Sequence, residues 1–219
     1  MKGVVSMRDE QTRLCTFWGR ASGRSGAELL GSLLLALIFL TWALPAHPSD
    51  SSVGGNFELI DHHGQTFALE DARGRVVVLT FGYTFCPDVC PMTLTTVAAA
   101  IDKIGSPANE ILVLFITLDP DRDTPDHLRS YVSFFHPQIL GLTGAEEALR
   151  GVPDQYRVRY SFFGKRERVH YSLDHTAAVY VVDPNGTLAR MIPHGLPPEI
   201  MIRTLREMLD QAFLPPATG

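Results

Sequence analysis

Cys86 and Cys90 stand four residues apart, and each is followed by a proline, Pro87 and Pro91. A thiolate is both the nucleophilic and the metal-binding form of cysteine. Side chains at i and i+4 of a helix have Cβ atoms about 5–6 Å apart, so two sulfurs so placed can hold one soft ion between them. The same pair can close into a disulfide when the Cβ atoms approach to about 3.8 Å, or the two can be small buried hydrophobes. A structural zinc site takes four protein ligands, and the sequence offers no second cysteine pair to complete one. The remaining cysteine, Cys15, lies in the N-terminal tail, so there is no disulfide framework. Two thiolates suit Cu(I), and an added imidazole suits either oxidation state of copper. Eight histidines are available for that third position.

The elements around the pair decide which histidine can reach it. Val76–Phe81 is apolar and β-branched without alternation, as in a strand covered on both faces. It runs directly into the cysteine segment. Met92–Ile104 carries Leu94, Val97, Ala98, Ile101 and Ile104 at helical spacing. Ile111–Thr117 is a second buried strand, so the two strands and the helix form a parallel βαβ unit. Thr124-Pro125 opens a further helix, expected to reach about Phe135. A short strand is expected at Leu140–Leu142 and a helix from Ala145 to about Tyr156. Residues 157–171, with Arg157, Arg159, Lys165, Arg166 and Arg168, are expected to be a loop or an extended hairpin, and this basic segment is a candidate for docking an acidic surface. Ala177–Val182 and Thr187–Ile192 flank Asp183-Pro184-Asn185-Gly186, a hairpin turn signal. Pro198–Phe213 is a closing helix. An N-terminal hairpin is expected across Phe57–Ile60 and Gln65–Leu69. A βαβ half followed by a ββα half around one mixed sheet is a thioredoxin-like α/β architecture.

Ligand sites of open α/β sheets lie at the C-terminal strand ends, and a helix N-terminus favours anions, thiolates included. The cysteines combine both positions. His175 directly precedes strand 177–182, in the loop that faces the first helix's N-terminus in such a fold. It is the expected third ligand, with His170 in reserve. Asp174 is placed to orient its ring or add negative charge. His62 and His63 fall in a turn at the opposite end of the sheet, and His194 is expected at the far end after the last strand.

Residues 29–44 are free of charge, and the segment 27–46 is long enough to span a bilayer as a helix. Basic residues precede it, which keeps residues 1–26 in the cytoplasm and exports the chain beyond residue 46. A cleaved signal peptide fits the same pattern. Residues 47–55 read as a polar linker, and 56–214 as the domain. Residues 1–46 hold five basic and three acidic side chains, against 14 basic and 21 acidic afterwards. A domain this acidic is unsuited to binding nucleic acid through phosphate neutralisation. Asp9 and Glu10 argue against a mitochondrial presequence, so a bacterial inner membrane with the domain in the periplasm is expected.

Three segments together carry a resemblance. Phe81-Gly82-Tyr83-Thr84-Phe85-Cys86-Pro87-Asp88-Val89-Cys90-Pro91, Leu118-Asp119-Pro120-Asp121-Arg122-Asp123-Thr124-Pro125 and Asp174-His175-Thr176 resemble the SCO/SenC family of copper proteins, over about residues 54–212. The resemblance implies Cys86, Cys90 and His175 as copper ligands and a single N-terminal membrane anchor. It implies a metallochaperone rather than an enzyme, taking copper from an upstream donor and delivering it to the dinuclear copper site of the second cytochrome c oxidase subunit. The competing expectation is a thiol–disulfide oxidoreductase, with Cys86 attacking and Cys90 resolving. Phe85 departs from the more polar residue expected there, which alters access to Cys86. The acidic run 119–123 is expected to rim the site, as a contact surface or as a solvated loop.

Overall fold

The structure is a computed structural model that describes residues 53–164 and 171–213. The tail 1–26, the expected span 27–46, most of the linker, His170 and the basic residues 165, 166 and 168 lie outside the described residues. Among the described residues no helix is long and apolar enough to cross a membrane.

A mixed seven-stranded sheet in the order β2-β1-β5-β4-β3-β8-β9 carries the domain. The short strands β1 (Glu58–Asp61) and β2 (Thr66–Ala68) form the N-terminal hairpin at one edge. Strands β3 (Val76–Gly82) and β4 (Ile111–Thr117) pair in parallel through α1 (Val89–Ile104). Strand β4 then pairs in parallel with β5 (Ile139–Thr143) through α2 (Pro125–Ser133), a second βαβ unit. Thr124 Oγ1 caps α2 by accepting the His127 N–H at 3.3 Å. After α3 (Glu146–Gln155), strand β8 (Ala178–Val182) pairs antiparallel with β3, β9 (Leu188–Pro193) pairs antiparallel with β8, and α4 (Pro198–Phe213) closes the domain.

Every residue of β3 is buried, yet its side chains still alternate in direction. Val76 and Val78 join the core under α1, α2 and α4, with Leu94, Leu128 and Leu205. Val77, Leu79 and Phe81 join the opposite core under α3, with Leu149, Val152 and Tyr156. Double-sided cover explains why this strand shows no polar alternation in sequence.

Two local differences from the sequence expectations have physical causes. Helix α1 begins at Val89, not Met92, because Pro91 falls in the first turn, where a missing N–H costs no helical hydrogen bond. In the β8–β9 turn only Gly186 takes a positive φ, +79°. Pro184 has its φ fixed negative by its ring, and Gly186 N–H closes the turn on Asp183 O at 2.8 Å. On either side of residues 165–170, the described flanks of the basic segment agree with the extended-hairpin expectation. Strands β6 (Tyr160–Phe163) and β7 (Ser172–His175) form a separate two-stranded ladder, with Tyr160 opposite His175.

Candidate metal centre

The segment after β3 turns sharply, with Cys86 N–H bonded to Tyr83 O at 3.2 Å. Cys86 therefore lies in the turn before α1, and Cys90 in the helix's first turn. The Cys90 amide is one of the helix's unpaired N-terminal donors, and it points at Cys86 Sγ at 3.4 Å. Asp88, at the N-cap position, makes no side-chain cap, so the cysteine sulfur takes an acceptor place that a capping oxygen commonly fills.

The two thiols share one site but differ in environment. Cys86 is partly exposed, whereas Cys90 is 3% exposed. The hydrogen bond from Cys90 brings the Cys86 thiol down to about 5, helped by the backbone amides of Asp88 and Cys90 and by His175, against an opposing effect of burial. The Cys90 thiol moves strongly upward, because it holds the shared proton next to Cys86 and is desolvated. Near neutral pH the pair is one thiolate and one thiol.

Gly82 is what lets Cys90 sit there. A Cβ at Gly82 would stand 2.7 Å from Cys90 Sγ and 2.9 Å from Phe115 Cε2. Thr80, two residues earlier, donates from Oγ1 to Ala178 O at 3.3 Å, tying the end of β3 to the start of β8.

His175 arrives from the other side. It is the last residue of β7, in strand rather than in the loop expected. Its Nε2 is 3.5 Å from Cys90 Sγ. Its Nδ1 is 3.1 Å from the Thr176 carbonyl, which can only accept. The proton therefore belongs on Nδ1, and the Nε2 lone pair faces the sulfurs, as a metal-ligating imidazole requires. Thr176, not Asp174, orients the ring, and Asp174 is exposed. Tyr83 stands edge-on to the imidazole, with ring centroids 6.3 Å apart. Cys86, Cys90 and His175 bring their donor atoms within 4.8 Å of one another. Two sulfurs and one imidazole at that separation form a three-donor set that suits a soft ion.

Among the described residues, the other histidines sit elsewhere. His62 accepts the Gly141 N–H at Nδ1, 2.9 Å, inside the protein; burial and neighbouring His63 depress its protonation. His127 stacks on Phe85 at 5.4 Å and 15°. His194 corrects an expectation. It is not at the far end of the sheet, because β9 runs antiparallel to β8 and returns to the end where β8 begins. There its N–H bonds Ala177 O at 3.0 Å and its Nδ1 lies 3.0 Å from Thr93 Oγ1 on α1. His194 is thus a neighbour of the site, not part of its donor set.

The run 119–123 is only partly solvated: Asp121 is exposed, while the acids at its two ends are not. Asp119 and Asp123 are fully buried. Asp123 accepts from Thr84 N–H at 3.0 Å, Thr84 Oγ1 at 2.5 Å and Thr117 Oγ1 at 2.6 Å. Asp119 accepts from the Tyr171 hydroxyl at 2.7 Å and from Arg122 Nε. Buried carboxylates need such donors, and both partner residues, Thr84 and Tyr171, flank ligand-bearing segments. The sequence expectation puts this loop beside the site but misses its role. The signal available is two acids directly after a wholly apolar strand, where water is scarce. Phe85 is 53% exposed beside Cys86 and packs under the Arg122 guanidinium at 4.6 Å, so it shields one side of the sulfur.

Comparison with known proteins agrees with this geometry. The chain is 36% identical over 180 residues to an SCO2-like protein of Rickettsia felis, spanning 78% of this chain and 88% of the relative. Bradyrhizobium japonicum ScoI, solved with copper bound, superposes with a TM-score of 0.66 at 32% identity, over 72% of this chain and 99% of that one. Yeast Sco1 with copper bound gives 0.68 at 31% identity, over 76% and 92%. The SCO1/SenC family profile matches residues 45–210, and the chain belongs to that family.

Proposed function

We propose that Cys86, Cys90 and His175 hold a copper ion as cargo, and that the protein delivers it to the dinuclear copper site of a cytochrome c oxidase subunit after taking it from an upstream donor. The observation that carries this reading is the convergence of two sulfurs and a ring nitrogen of His175 within 4.8 Å. Copper-bound relatives at 31–32% identity support the choice of metal. Three protein donors leave room for a ligand of the recipient, so transfer proceeds by ligand exchange. Cys86, the more exposed sulfur, is the donor a partner reaches first. We place the domain on the periplasmic side of a bacterial inner membrane, tethered by residues 27–46. The charge-free run at 29–44 and the basic residues before it support that placement.

A second reading is favoured by the asymmetry of the thiols. A depressed, accessible Cys86 and a buried, protonated Cys90 suit thiol–disulfide exchange. The Cys86 thiolate would attack a target disulfide, releasing one target thiolate. Cys90, losing its proton, would then displace the second, leaving a Cys86–Cys90 disulfide and a reduced target.

His175→Ala separates the two. Copper retention against a competing chelator should fall by about 10-fold or more, while reduction of a target disulfide should persist. Wild-type copper retention in His175→Ala would refute the ligand assignment. Loss of disulfide reduction with copper retention intact would reverse the order of the two readings.

A further inference from the structure

His175 and the cysteines are carried by different ladders. Among the described residues, β7 pairs with β6 alone, so no strand pairing joins the His175 hairpin to the sheet that bears Cys86 and Cys90. Apart from the short link from His175 into β8 and the Tyr83–His175 edge contact, the distance between them depends on side chains that bridge the two. One side chain touches both. The Arg122 guanidinium lies 3.7 Å from the Tyr171 ring centroid, 4.6 Å from that of Phe85 and 5.6 Å from that of Tyr83. Phe85 directly precedes Cys86, and Tyr171 lies four residues before His175. Arg122 Nη1 also donates to the Tyr171 carbonyl at 3.1 Å, and its Nε pairs with buried Asp119, which accepts the Tyr171 hydroxyl. Its neighbour Asp123 holds Thr84 on the cysteine side by two hydrogen bonds.

We propose that Arg122 is the positioning residue of the metal centre, clamping the hairpin that carries His175 against the turn that carries Cys86. The inference rests on the three-ligand reading above. The clamp needs a flat cation: a guanidinium presents a planar face to aromatic rings and directs donors from its edge, which an ammonium cannot match. Arg122 touches none of the three ligand atoms and acts only through Phe85, Tyr83 and Tyr171. The acidic run is then the base of the clamp. Buried Asp119 and Asp123 fix the loop from which Arg122 projects, and each bonds a residue on one of the two ligand-bearing segments.

The test uses the full chain and copper as the probe. Arg122→Gln should lower copper retention against a chelator about 10-fold, the lower end of what loss of an orienting partner costs a metal site. It should also shift the thiolate-to-copper charge-transfer absorption and, without metal, move the His175 ring resonances, with the far-ultraviolet dichroism unchanged. Arg122→Lys should fail to restore any of these. Tyr171→Phe, which removes only the hydroxyl bond to Asp119, should weaken retention about threefold and decides the matter if Arg122→Gln does not fold. Wild-type retention and wild-type His175 resonances in folded Arg122→Gln, full activity of the lysine variant, or a silent Tyr171→Phe would each overturn the clamp. His175→Ala run alongside keeps the readings apart. Normal copper retention there would refute the ligand set, and the metal-free His175 resonances would still judge the clamp.

Discussion

Replacing Gly82 by alanine puts one methyl group where the centre has no room for it. The added Cβ would lie 2.7 Å from Cys90 Sγ, 2.9 Å from Phe115 Cε2 and 3.2 Å from Phe115 Cζ. Carbon contacts are comfortable near 3.5–4.0 Å, so the neighbours must retreat by about 1 Å. Phe115 is 1% exposed within the larger core and cannot yield cheaply. Cys90 must take most of the movement, away from β3. Gly82 does not occupy the positive-φ region, so the effect is one of space alone. Overpacking of this kind costs about 1–3 kcal/mol, and a domain of this size loses about 2–4 °C of melting temperature per kcal/mol. The displaced sulfur should also lower copper retention by at least about 10-fold. Gly141→Ala is the matched control. Its Cβ would meet Leu128 Cβ at 3.2 Å and Val132 Cγ1 at 3.3 Å, away from the sulfurs, so it should lose stability while keeping copper. Thermal unfolding and chelator competition on both variants give the answer. Gly82→Ala with unchanged melting and unchanged copper retention would refute the packing argument. Equal copper loss in both variants would show that general destabilisation, not sulfur position, controls binding.

The thiol environment gives a pH prediction. A depressed thiol becomes thiolate as pH rises through its lowered value, so alkylation of Cys86 by iodoacetamide should already be half-maximal near pH 5, with Cys90 protected; a midpoint near the ordinary cysteine value of about 8.5 would contradict this. Since the Cys90 hydrogen bond is the leading cause, Cys90→Ala should move that midpoint upward. His194→Ala should leave copper retention within about twofold of wild type, because that ring bonds Thr93 and stands outside the donor set; a large loss would bring His194 into the centre.

Legibility in the sequence tracks how local the determining contacts are. The unbroken apolar runs of β3 and β4 and the amphipathic α4 depend on their own residues and are readable directly. The metal centre is readable because two of its donors are four residues apart and the third sits at a strand boundary. Pairing of β6 with β7 is only half visible. Each strand has four residues, too short a run for periodicity alone to declare the pairing. Burial of Asp119 and Asp123 is invisible because acids carry a strong expectation of solvent. The donors from Thr84, Thr117, Arg122 and Tyr171 override it, and two of these belong to other segments of the chain. The expected place of His194 fails through an error of direction, not through missing information. An antiparallel hairpin returns its last residue to the end where it started, so residues flanking β8 and β9 on the outside must be neighbours.

The floor-and-rim arrangement of the two sulfurs gives the centre a single direction of approach. With Cys90 enclosed between α1, Phe115 and Gly82, anything larger than a bare ion must arrive across the outer sulfur and leave by the same path. A visiting protein therefore cannot engage the inner sulfur first, whatever its affinity for it. If the ion leaves by ligand exchange, as proposed, the order of bond exchange follows from the depth of two side chains, and swapping which cysteine is outermost would reverse it.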